Sequence, residues 1–182
     1  LRDFPVSVDT RHPNVMRAAL AAGACMINDV EALTAPGALE AVAASDCALC
    51  LMHKKGDPAT MQESPAYTDV VAEVRDYLAA RIAACEAAGI ARERIAVDPG
   101  FGFGKTVEHN LTLLKRLPEL SSLGAPLLAG WSRKSSLGRI TGRDTGERLA
   151  GSLAAALLAL LGGASILRVH HVTATRDVVL MW

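Results

Sequence analysis

Acidic, amide and cationic side chains recur at one kind of position along this chain. Asp9, Asn28 with Asp29, His53, Asp98, Ser132-Arg133-Lys134, and Arg168 with His170 each stand at the end of a short apolar or β-branched run. Asp9, Asn28 and Asp98 supply acceptors, and Asn28 adds donors. Carboxylates turned to a common point suit a heterocycle edge that presents N–H groups. Lys134, Arg168 and His170 bring donors and positive charge, which suit phosphate or pyrophosphate. One mouth with both halves points to a polar heterocycle carrying a phosphorylated leaving group. Taken singly, each residue reads more readily as a helix N-cap or a solvated loop residue. Recurrence over six runs is what points to a shared site.

The elements that must position these residues alternate regularly. Strands are predicted at 5–9, 24–30, 48–53, 95–98, 126–130 and 165–170. Helices are predicted at 13–22, 37–44, 68–88, 107–116 and 145–161, with a last one starting near Thr173. In the third helix, apolar residues fall at 70, 71, 74, 78, 82 and 85, close to a 3.6-residue period. Asp69 lies in its first turn, where negative charge is favoured, and Gly89 follows its end. Alternating strands and helices imply right-handed crossovers and a parallel sheet, whose ligand sites lie at the C-terminal strand edge. The stretch 54–67, with Gly56, Pro58 and Pro65, directly follows a strand end and is expected to be a working loop.

Composition narrows the function classes. Of the 182 residues, 51% are hydrophobic, and 19 Lys and Arg balance 19 Asp and Glu. A zero net charge argues against a nucleic-acid binder, and the apolar content argues against disorder. No run reaches the roughly 18 apolar residues of a membrane span; 153–164 reads as a buried helix. Cys47 and Cys50 have C-x-x-C spacing, but residues three apart on a strand face opposite ways, so they read as buried reduced thiols of a cytoplasmic protein.

Sharper motifs fail. A P-loop would need Gly where Pro99 stands, a G-x-G-x-x-G would need Gly where Lys105 stands, and Gly130-Trp-Ser132-Arg-Lys134 lacks the second Gly of a nucleophile elbow. The glycines of 100–104 are read instead as letting the backbone approach a flat ligand.

The segments Ser7-Val-Asp9-Thr10, Ile27-Asn28-Asp29, Leu51-Met52-His53, Asp98-Pro-Gly-Phe-Gly-Phe-Gly-Lys105, Ser132-Arg-Lys-Ser135 and Arg168-Val-His170 follow one another in an order that resembles the dihydropteroate synthase family of pterin-binding enzymes. The likeness runs along essentially the whole chain. It implies a (β/α)8 barrel in which the amine of p-aminobenzoate displaces pyrophosphate from hydroxymethyl-dihydropterin pyrophosphate, in folate biosynthesis, with Mg²⁺ assisting. It also implies a sulfonamide target and a homodimer. By position, Asp9, Asn28, Met52, Asp98 and Lys134 would hold the pterin. Phe103, Ser132 and Lys134 would border the aminobenzoate, and Arg168 and His170 would bind pyrophosphate. Asp9, Asp98, Lys134, Arg168 and His170 are thus the candidate catalytic set. His171 stands where the family has Asp. A methyltetrahydrofolate-binding methyltransferase of the same barrel class, or a non-catalytic paralogue, would share the pterin residues.

A complete barrel of this class takes about 250 residues. The resemblance therefore implies an α/β fold comprising a partial TIM (β/α)8 barrel, strands 3–8 of the family barrel, in one incomplete pterin-binding domain over 1–182. The first two βα units would be missing and the C-terminal helix cut short. The metal site and the loops closing the aminobenzoate side would lie on the missing units, leaving this piece inactive alone. The strands holding Val8 and Val169 would then be unpaired edges.

Overall fold

The computed structural model describes residues 4–56 and 65–182. They form β1 (Ser7–Asp9), α1 (Pro13–Ala21), β2 (Met26–Asp29), α2 (Ala38–Ala43), β3 (Ala48–Met52), α3 (Val70–Ala87), β4 (Ile95–Asp98), α4 (Val107–Lys115), β5 (Leu127–Ala129), α5 (Ser135–Thr141), α6 (Leu149–Leu161), β6 (Ala164–Leu167) and α7 (Val172–Met181). The six strands make one sheet in the order β1-β2-β3-β4-β5-β6. Each strand pairs in parallel with the next. Sequential order without a reversal means that the sheet winds one way, as a partial (β/α)8 barrel does.

Strand alternation divides the side chains between two faces. Ile27, Leu49, Leu51, Ile95, Val97, Leu127 and Ala129 belong to one apolar core that also takes in Val74, Leu78 and Ile82 of α3. Each fully buried Leu or Ile contributes about 1.5–3 kcal/mol. The alternate residues line the other, concave face: Asp9 pairs with Asn28, Asn28 with Cys50, and Met52 with Asp98. This two-sidedness is the reason the strand ends can carry polar chemistry while the helix side stays dry.

α3 shows the local logic well. All six predicted apolar positions are buried. Asp69 is the N-cap and accepts from Val71 N and Ala72 N at 2.9 and 3.1 Å, so the helix starts at Val70 rather than Thr68. At the other end Gly89 adopts φ 81°; its N–H donates to Glu86 O and that of Ile90 to Cys85 O, a Schellman closure.

Several expectations change. α5 is a helix that the sequence pattern does not announce, because Gly138 interrupts its seven residues. The helix expected over 145–161 is a 3₁₀ turn followed by α6. The last helix, expected to start near Thr173, spans Val172–Met181. β1 is an outer strand as expected, but Val169 lies beyond β6, the other outer strand. Of the expected working loop, residues 57–64 lie outside the described residues. Cys47, Cys50 and Cys85 are buried free thiols, whereas Cys25 is exposed. Among the described residues no helix is long and apolar enough to cross a membrane.

Candidate functional site

At the C-terminal ends of the strands lies a cavity of about 160 Å³, lined by Asp9, Met52, Asp98, Phe103, Ser132, Lys134, Arg168 and His170. Eight of the nine residues to which the resemblance gives site roles therefore meet in one place, joined by Val30, Phe101 and Gly130. The ninth, Asn28, sits in register beside Asp9 on the same face, buried at 1% exposure behind the lining. Larger grooves of about 590 and 750 Å³ along the outer strands, and one of about 610 Å³ between α6 and α7, are lined mainly by apolar side chains. They lack the facing acids and cations that mark the small cavity.

The floor is dry and the rim is wet. Asn28, Met52 and Asp98 are buried, while Asp9, Arg168 and His170 are exposed. Neither the carboxamide oxygen nor the nitrogen of Asn28 has a hydrogen-bond partner among the described residues. Such a group costs about 1–3 kcal/mol if left unmatched, so a ligand presenting one donor and one acceptor fits it. Burial pushes the Asp98 carboxyl above the usual carboxylate range; the Gly100 N–H at 2.7 Å and the charges of Lys134, Lys105 and Arg168 hold that shift back.

Lys134 stands with its ammonium 4.2 Å from the Phe103 ring centre. Burial lowers its pKa, opposed by the Asp98 carboxylate. Ser132 Oγ accepts from His170 N at 3.2 Å and lies 3.0 Å from His170 Nδ1, so the β5 and β6 loops are pinned together. At the rim Arg168 forms an ion pair with Asp9, closing the mouth between the two outer strands. His171 caps nothing with its side chain, but its Nε2 lies 3.0 Å from the Arg133 guanidinium.

The glycines of the 98–105 loop do something other than expected. A Cβ on Gly100 would lie 1.8 Å from His53 O, and one on Gly104 would lie 2.0 Å from Lys55 O. Gly100 and Gly104 let the loop press against the backbone after β3, while a Cβ on Gly102 would lie 3.3 Å from Lys134 Cδ. Tyr67 Oη donates to Gly104 O at 2.8 Å and secures the same contact.

The strand-end residues Asp29, His53 and Arg133 do not join the cavity. Asp29 turns to the loop after β2 and accepts from Glu31 N and Leu33 N at 2.8 and 2.9 Å. There Ala32 and Leu33 hold φ of 51° and 59°, steadied by Arg81 on both carbonyls. His53 packs edge-on to Tyr77 and lies 3.0 Å from the ammonium of Lys105, a buried cation to which the sequence pattern assigns no role. Burial and the Lys105 charge push His53 down to about 3, and burial lowers Lys105 to about 7. A neutral His53 thus accepts at Nδ1.

Because the unfolded chain protonates His53 first, acid favours unfolding between pH 6.5 and about 3. Chemical denaturation at pH 7 and pH 4.5 is expected to show about 2–3 kcal/mol more loss in wild type than in His53→Gln. Equal losses would remove His53 as the titrating group. Lys105 acts in the alkaline window: its depressed pKa means that stability rises as pH goes from about 7 to 10.5.

Among the described residues no three His, Cys, Asp or Glu side chains gather at one point.

The family described as pterin binding enzyme matches residues 1–170. The dihydropteroate synthase of Escherichia coli K12 is 52% identical over 170 residues, covering 93% of this chain and 60% of the relative. The crystal structure of the Stenotrophomonas maltophilia dihydropteroate synthase, with imidazole bound in its active site, superposes with a TM-score of 0.95 at 54% identity, covering 98% of this chain and 68% of that one. The Xanthomonas albilineans enzyme in complex with 7,8-dihydropteroate gives 0.92 at 55% identity, over 98% of this chain and 66% of that one. This chain thus spans about 60% of the length of the E. coli relative.

Proposed function

The chain belongs to the pterin-binding enzyme family, and from that premise we propose that it provides the pterin and pyrophosphate walls of a dihydropteroate synthase. The observation that carries this reading is Asn28, a fully buried carboxamide with both polar atoms unmatched among the described residues, on the same face as the buried Asp98 carboxylate. The two present an acceptor–donor edge to a flat heterocycle. The cationic rim argues against the methyltransferase reading, since a methyl donor needs no clamp for a leaving pyrophosphate.

In this reading Asn28, Asp98 and Asp9 take the N–H edge of hydroxymethyl-dihydropterin pyrophosphate, with Met52 against the ring and Lys134 donating to it. Phe103, Ser132 and Lys134 border p-aminobenzoate. The aniline nitrogen attacks the pterin methylene carbon, the C–O bond to pyrophosphate breaks with its electron pair leaving on pyrophosphate, and the nitrogen then loses a proton. The carboxylates steady positive charge building on the methylene. Arg168 and His170 receive the departing anion, Arg168 exchanging its bond to Asp9 for one to pyrophosphate. In this reading Mg²⁺ would assist departure of the pyrophosphate, as the resemblance implies. A homodimer fits the exposed Leu158, Leu161, Leu180 and Met181 of α6 and α7, and a cytoplasmic location fits the free thiols.

Calorimetry with 6-hydroxymethyl-7,8-dihydropterin tests the central point. Wild type is expected to bind one equivalent and Asn28→Leu about tenfold or more weakly, the loss of one well-made polar match. Equal affinity would remove Asn28 from the site. Absence of pyrophosphate release by the full-length protein with both substrates and Mg²⁺ would overturn the catalytic reading.

A further inference from the structure

Beneath the 100–104 loop lie two buried polar side chains that do not line the cavity. Lys105 is 2% exposed; its ammonium donates to Gly100 O at 2.9 Å and Phe103 O at 3.1 Å, and lies 3.0 Å from His53 Nδ1. It also lies 3.5 Å from His53 O, so its three N–H donors face four acceptors. Asn110, on α4, is 0% exposed. Its Oδ1 accepts from Gly102 N at 2.8 Å, and its Nδ2 donates to Thr106 O at 2.7 Å and Ser136 Oγ at 3.2 Å.

We propose that Lys105 and Asn110 are positioning residues: together they fix Phe103 beneath the Lys134 ammonium and so shape the side of the cavity that takes the aromatic amine. The role rests on the function proposed above. Lys105 gathers the carbonyls on either side of the loop's tip around one nitrogen. Asn110 ties Gly102, the residue before Phe103, to Ser136, two residues after Lys134 on the first turn of α5. One carboxamide therefore spans the two segments that present the facing pair. A loop with three glycines in five residues has great freedom to lose and little side-chain packing of its own to hold it. A buried ammonium held by two carbonyls and a neutral imidazole is a costly way to hold it, where an aliphatic side chain would serve stability better. Such local conflicts with stability cluster at working sites.

The experiment is an NMR measurement on this chain with turnover on the full-length protein. The Lys134 ammonium lies 4.2 Å from the Phe103 ring centre, so in wild type its ε-methylene protons are expected upfield of the other lysines. In Lys105→Met and Asn110→Asp more than half of that ring-current shift is expected to vanish while circular dichroism stays native. Ser136→Ala, which removes a single partner, is expected to lose part of it and serves if either of the others fails to fold. In turnover, KM for p-aminobenzoate is expected to rise about tenfold while KM for the pterin pyrophosphate changes less than about twofold, the sign of misplacement on one side only. Folded variants that keep the full shift, or two KM values that rise in step, would overturn the proposal. Failure of the functional reading shows differently: a wild-type protein that has the ring-current shift and turns over neither substrate.

Discussion

Gly100→Ala is expected to cost the fold about 3 kcal/mol or more, lowering Tm by roughly 10 °C. The added methyl would sit 1.8 Å from His53 O and 3.0 Å from His53 C, with the residue at φ +70°. Neither side has room to retreat. His53 N donates to Asp98 O at 3.0 Å, which continues the β3–β4 ladder, and Gly100 O is held by Lys105 at 2.9 Å. A positive φ alone costs an alanine about 1 kcal/mol; overpacking against backbone adds the rest. Gly142 provides the control, because it has the same φ of +70° and nothing within 4 Å of the place a methyl would occupy. Gly142→Ala should therefore lose only the conformational part. Thermal unfolding of both variants decides the matter, and equal shifts in Tm would show that the contact between the two loops is soft. The affected surface is the one under the cavity, so the loss of stability should come with a loss of pterin affinity.

How much of this was legible in the sequence depended on which periodicity carried the information. The 3.6-residue pattern of α3 gave six buried positions correctly, and the strand-end polar residues pointed to the cavity whose lining they share. Where strand ends misled, parity had the answer. Asn28 and Asp29 are neighbours, so they must face opposite ways. Ile27 is an obvious core residue, which turns Asp29 to the helix side and Asn28 inward. The same count from Leu51 places Met52 in the site and His53 outside it. Lys105 was out of reach of such reasoning, because its partners include main-chain carbonyls, which have no sequence signature. The Arg168–Asp9 pair joins residues 159 apart and exists only because the sheet curves until its outer strands approach. The roles of Gly100 and Gly104 were equally hidden: a glycine announces close approach but not what approaches.

Asp98→Asn is expected to weaken dihydropterin binding by about 10- to 150-fold, which corresponds to about 1.5–3 kcal/mol for a charge-assisted hydrogen bond. The amide oxygen can still accept from Gly100 N, now 2.7 Å from Oδ1, so the loop keeps its anchor. The other oxygen becomes an NH₂ that meets the ligand's N–H groups donor to donor. Stability should move the opposite way. The folded pKa of Asp98 lies above 3.8, with burial the leading cause, so above that pH the fold holds its proton more tightly than the unfolded chain does. Stability therefore falls as pH rises through that window, because the native fold must ionise a buried carboxyl. Asparagine removes this penalty, so Asp98→Asn is expected to unfold at an equal or higher temperature than wild type without ligand. A carboxylate retained against the interest of the fold is what a binding group looks like. Calorimetry and thermal unfolding on the same preparation separate the two effects. A variant that binds as tightly as wild type would take Asp98 out of the pterin site. One that loses affinity and stability together would show that the carboxylate holds the loop and not the ligand.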